Sequence, residues 1–157
     1  MRIIALLGRH NSGKTATLKK LIEIIDKDNF TYEGVSPKGD VLELCRKPKG
    51  DMQYWCSCNG VKIGITTRGD ARRYLQADFF TKKKNFSDRD IVVCAIRSSG
   101  GTVDFVNEHS TDGPIICKKK LVANIAGEDQ QQTANAEQAE EIFDKLKTVI
   151  EEAEVQK

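Results

Sequence analysis

Gly8 to Thr15 reads GRHNSGKT, directly after the apolar run Ile3-Ile4-Ala5-Leu6-Leu7. The octapeptide satisfies G-x-x-x-x-G-K-[ST] at every fixed position, and its flanks decide how it folds. Upstream, Arg2 to Leu7 is short, apolar after its first residue and closed by glycine, the pattern of a strand buried on both faces. Downstream, Thr15 to Asp26 carries Leu18, Leu21, Ile22 and Ile25, the stripe of an amphipathic helix. Strand, glycine loop and helix therefore follow one another in the order the motif requires.

Further along, Val35 to Asp40 is rich in turn residues and reads as a loop. Three strand-like runs follow: Val41 to Arg46, Met52 to Cys58, and Val61 to Thr67. Asn59-Gly60 joins the last two, the strongest short hairpin signal. A two-residue turn sets the register: Cys58 faces Val61, Cys56 faces Ile63 and Tyr54 faces Ile65. Ser57 with Lys62 and Trp55 with Gly64 take the other side. Both thiols of Cys56-Ser57-Cys58 thus fall on the apolar face. Their C-x-C spacing has no second pair or nearby histidine, so they read as core cysteines rather than zinc ligands.

Asp70 to Thr81 has Ala71, Tyr74, Leu75, Asp78 and Phe79 at helical spacing. Ile91 to Ile96, IVVCAI, is a second buried strand, and Thr102 is placed to cap a short helix carrying Val103 and Val106. Pro114 to Cys117 and Leu121 to Ile125 suggest further strands. Thr133 to Val155 predicts a long helix with Ala139, Ile142, Phe143, Leu146, Val149, Ile150 and Ala153 on one face. Strands alternating with helices imply an α/β fold: a three-layer sandwich with a mainly parallel central sheet plus an antiparallel hairpin.

At 157 residues the chain fits a single domain spanning 1–157. Its 39% apolar and 31% charged content suits a soluble globular protein, and no apolar run is long enough to cross a bilayer. The amino terminus reads as a first core strand rather than a signal segment. The five cysteines are odd in number, and Cys94 and Cys117 sit in apolar runs. A reducing cytoplasm without a disulfide framework is the expectation, with no membrane partner. A net charge of +2 gives no electrostatic argument for nucleic acid, and the lysine runs at 82–84 and 118–120 read as solvated surface.

The octapeptide carries the chemistry. Gly8 and Gly13 permit backbone angles that let successive N–H groups of Arg9, His10, Asn11 and Ser12 converge on phosphate oxygens. The helix that follows points its positive end at the same place. In this pattern Lys14 reaches the β- and γ-phosphates and the Thr15 hydroxyl is placed to coordinate Mg²⁺. On these residues the chain resembles the P-loop nucleoside triphosphate hydrolase superfamily. That resemblance implies a nucleoside triphosphate ligand, Mg²⁺ as cofactor, and a P-loop NTPase-like fold.

Such a site also needs an acidic residue near the metal, at the end of a neighbouring strand. Asp70, three residues past the strand ending at Thr67, is the candidate; its alternative role is capping the helix that starts at Ala71. Asp40 and Asp104 are weaker alternatives. Small GTPases carry D-x-x-G at this position, whereas here the stretch is Thr66-Thr67-Arg68-Gly69. The guanine-reading [NT]-K-x-D is missing too, so ATP is favoured over GTP. Arg97, at the end of IVVCAI and before Gly100-Gly101, could supply charge to the transferring phosphoryl group or to a phosphorylated small-molecule acceptor. The reading that follows is Mg²⁺-dependent triphosphate binding and hydrolysis, with Lys14, Asp70 and Arg97 as catalytic candidates. A small nucleotide or metabolite kinase and a non-catalytic regulatory module are the alternatives.

Overall fold

The computed structural model describes residues 1–121 and 127–156. Its strands are β1 (Arg2–Leu7), β2 (Thr31–Ser36), β3 (Gln53–Cys58), β4 (Val61–Thr66), β5 (Ile91–Ile96) and β6 (Ile115–Lys118). Its α-helices are α1 (Lys14–Asp26), α2 (Val41–Arg46), α3 (Arg72–Gln76), α4 (Gly101–His109) and α5 (Glu128–Val155). The strands form one mixed sheet in the order β2-β3-β4-β5-β1-β6. β4, β5, β1 and β6 run parallel, and β3 is antiparallel to both of its neighbours.

Alternation along the buried strands feeds two apolar layers. Ile4 and Leu6 of β1 pack with Leu18, Leu21, Ile22 and Ile25 of α1 and the Ala139–Ile150 stripe of α5. Ile3 and Ala5 face the other way, against Leu75 of α3, Phe79, Phe86, and Phe105 and Val106 of α4. Helices thus cover both faces. All four α1 stripe residues are fully buried, each contributing about 1.5–3 kcal/mol of transfer free energy.

The hairpin has the predicted register, pairing Cys58 with Val61, Cys56 with Ile63, Tyr54 with Ile65, Ser57 with Lys62 and Trp55 with Gly64. Four elements differ from the sequence reading. Val41 to Arg46 is helix, not strand: the Asp40 side chain accepts from the Glu43 N–H at 3.0 Å, and Leu44 and Cys45 bury one helical face. Thr31 to Ser36 is an edge strand overlapping the expected loop, and only Gly34 in it is buried. The helix expected over Asp70–Thr81 is α3 followed by a π-helical turn, Ala77–Thr81, and its N-cap is Ala71. Thr102 lies inside α4 and does not cap it; its hydroxyl instead accepts from the Arg97 N–H at 3.0 Å. The strand expected over residues 121–125 falls, after Leu121, outside the described residues.

Parallel pairing sets where the loops gather. Leu7 is level with Ile96 of β5 and Lys118 of β6, so the segments after β1, β5 and β6 leave the sheet on one edge. β4 ends on that edge as well. Because β3 is antiparallel, its start lies there too, with Gln53 opposite Thr66. Carboxyl ends of strands in open α/β sheets line ligand crevices.

Candidate functional site

The Gly8–Thr15 loop crosses this edge between β1 and α1. Gly13 has φ of 92°, a left-handed conformation that side chains resist, and it serves as the backbone N-cap of α1. Asn11 is also left-handed, at φ of 58°, which an asparagine tolerates better than most residues. The loop is anchored below by Gly8 N–H to the Ile96 carbonyl at 3.1 Å and by Lys119 N–H to the Leu7 carbonyl at 2.7 Å.

Lys14 is only 6% exposed. Its ammonium donates to the Gly8 carbonyl at 2.6 Å and to the Ile96 carbonyl at 3.1 Å. Two acceptors among the described residues leave one of its three N–H donors for a ligand. Burial lowers the Lys14 pKa, with Asp70 opposing that shift and Arg97 reinforcing it. An ammonium desolvated in this way gains from any anion brought to it. Ser12 adds a second unmet polar group, since its buried hydroxyl oxygen has no hydrogen-bond partner among the described residues.

A cleft of ≈ 380 Å³ opens beside the loop, with Lys14, Thr15, Asp51 and Asp70 among its lining. Asp70 is 46% exposed, with His10 Nδ1 at 3.8 Å and Arg97 Nε at 3.9 Å from one of its carboxylate oxygens. The structure therefore gathers five residues singled out from the sequence: His10, Lys14, Thr15, Asp70 and Arg97. Asp70 has no capping role. Asp40 caps α2 through its side chain.

Asp51 was not foreseen as a site residue. Its carboxylate accepts from the Thr67 hydroxyl at 2.9 Å, and the Thr67 carbonyl lies 3.5 Å from the Thr15 hydroxyl. The hairpin register carried the signal: extended two residues beyond the Gln53–Thr66 pair, it brings Asp51 to the end of β4. Lys119, Gln131 and Asn135 line a further cleft that shares Asn11, Ser12, Gly13 and Ala16 with the first.

The remaining arginines near Asp70 are engaged elsewhere. Arg68 donates to the buried Asp78 carboxylate at 2.9 Å. Arg72 forms a two-pronged pair with Glu108. Among the described residues no cluster of three His, Cys, Asp or Glu side chains could hold a metal on its own. The Thr15 hydroxyl and the Asp51 and Asp70 carboxylates are nevertheless hard oxygen donors on one cleft. That donor set fits Mg²⁺, which commonly takes one or two carboxylates and completes its shell with phosphate oxygens and water.

No family model, no curated protein and no solved structure matches this chain.

Proposed function

We propose that the chain is a P-loop nucleotide-binding protein that binds a nucleoside triphosphate with Mg²⁺ and hydrolyses it. The observation that carries this reading is Lys14. It is a buried ammonium at the mouth of a glycine loop, with one donor unused, beside a cleft that also holds Thr15 and two carboxylates. The lysine and the loop N–H groups bind the phosphates, and α1 directs its positive end at them. Thr15, Asp51 and Asp70 would hold the Mg²⁺, which supplies charge neutralisation across the terminal phosphates. Arg97, across Asp70, stabilises the charge that grows on the oxygens as water attacks the terminal phosphorus and the bridging P–O bond breaks. ATP is favoured because the guanine-reading motif is missing.

Phosphoryl transfer to an acceptor is the second reading, favoured by Arg97 being close to Asp70 at the cleft. It is weakened by the engagement of Arg68 and Arg72, which leaves fewer cations for an acceptor phosphate. The two readings separate in a product assay with Mg²⁺ and each of four nucleoside triphosphates. Phosphate released without acceptor supports hydrolysis. Diphosphate formed only when an acceptor is added supports transfer, and binding without turnover reduces the protein to a nucleotide-holding module.

A further inference from the structure

Three of the described lysines, Lys14, Lys19 and Lys119, are buried, and they differ in what faces their charge. Asp70 acts on Lys14 and Asp51 acts on Lys19, in each case opposing the effect of burial. Lys119 is 7% exposed, yet burial lowers its pKa with no charged neighbour among the described residues contributing. Among the described residues its ammonium has one acceptor, the Lys120 carbonyl at 2.7 Å. Among the described residues no carboxylate pairs with it, whereas Lys120 next to it pairs with Glu141. A buried cation without a counter-charge is costly, and a bound anion removes that cost.

The second unmet group is close by. A Cβ placed on Gly8 would lie 2.8 Å from the Ser12 hydroxyl oxygen and 2.9 Å from the Lys119 Cβ, so these side chains flank one point of the loop. Both line a cleft of ≈ 290 Å³ that continues to Gln131 and Asn135 of α5 and has no acidic residue among the described residues of its wall. The cleft that holds Asp51 and Asp70 adjoins it along the loop, sharing Asn11, Ser12, Gly13 and Ala16 with it. A polyphosphate crossing the loop has one end in each. The end that carries the metal belongs with the carboxylates, because a bare phosphate is repelled there. The other end then lies at Lys119.

We propose that the Lys119 cleft is the nucleoside side of the ligand site. Lys119 and Ser12 bind the nucleoside-proximal phosphate, and the carboxamides of Gln131 and Asn135 face the nucleoside. Amide groups of this kind both donate to and accept from base and sugar edges. This inference rests on the nucleotide reading above and gives the ligand a direction across the loop.

The test is titration calorimetry with Mg-ATP, Mg-GTP and magnesium pyrophosphate, the last spanning only the Lys14 and metal end. In Lys119→Met the nucleotide that binds wild type should weaken about tenfold or more, the scale of one charge-assisted hydrogen bond. Pyrophosphate binding should be unchanged. Ser12→Ala should show the same pattern with a smaller loss. The ligand-free Lys119→Met protein should melt no lower than wild type, since the substitution removes a lone buried charge. Equal losses for nucleotide and pyrophosphate in both variants would make these residues loop supports and overturn the proposal; so would unchanged nucleotide binding. Wild type that binds pyrophosphate but neither nucleotide would overturn it while leaving the phosphate loop intact. Wild type that binds none of the three removes the nucleotide reading, and this inference with it.

Discussion

At the residue scale, the site is defined by charges the fold leaves partly unmet. Lys14 is held by two carbonyls, from the ends of β1 and β5, so its position is set before any ligand arrives. Preorganisation of this kind limits the ordering cost of binding. The two carboxylates are held differently: Asp51 accepts from Thr67, while Asp70 has His10 and Arg97 at the edge of ion-pair distance. Asp70→Asn and Asp51→Asn should each raise the Mg²⁺ concentration needed for half-maximal nucleotide binding, by about tenfold for the direct ligand. A metal titration that is unmoved by one substitution assigns that carboxylate another role. Lys14, Thr15, Asp70 and Arg97 were legible because a motif or a strand end marks them. Asp51 was not, because its place follows only from carrying the hairpin register past the strand. Lys119 sits in a lysine run that reads as solvated surface, and nothing local distinguishes the one lysine that the sheet edge buries.

Among the elements, those with strong periodicity were legible: the stripe of α1, the long apolar face of α5, and the hairpin whose turn admits one register. α2 was misread because six residues with apolar positions throughout satisfy both periods, and the deciding signal was the Asp40–Glu43 capping pair. β2 was missed because an edge strand with one buried residue leaves no apolar pattern. The π-helical turn after α3 carries a buried carboxylate, Asp78, on the face that the helical spacing of Tyr74, Leu75, Asp78 and Phe79 marks; the spacing does not show what it binds. Asp78 is 1% exposed and accepts from Thr66 at 2.8 Å, from Arg68 at 2.9 Å and from Lys82 at 2.8 Å. It ties the turn to the end of β4, immediately before Thr67. Replacing it by alanine leaves the buried Thr66 hydroxyl without its acceptor, so Asp78→Ala should cost about 1–3 kcal/mol in urea unfolding. Asp78→Asn, which keeps an acceptor, should cost less; equal losses would place the effect in charge rather than in the hydrogen bond.

For the whole molecule, the parallel core gathers the ends of β1, β4, β5 and β6 on one edge, and the antiparallel β3 adds its own start to them. None of the described helices is long and apolar enough to cross a membrane. The buried thiols make a prediction for the folded state as a unit. Burial raises Cys45, Cys56 and Cys94 from 9.0 to about 12. Between those values the unfolded chain releases thiol protons that the folded chain retains, so stability falls as pH rises through this window. Urea midpoints should therefore decline above pH 9, and midpoints that hold to pH 11 would contradict the buried, neutral thiols. The central claim is that Gly8–Thr15 binds a triphosphate through Lys14. A ligand at a hundredfold its Kd stabilises a protein by about 2.7 kcal/mol, which for a chain of this size raises Tm by roughly 5–10 °C. The direct measurement is the melting shift produced by Mg-ATP, with the other triphosphates in parallel, in wild type and in Lys14→Ala. A shift of that size in wild type that disappears in Lys14→Ala is the predicted result; a shift of equal size in both would contradict it.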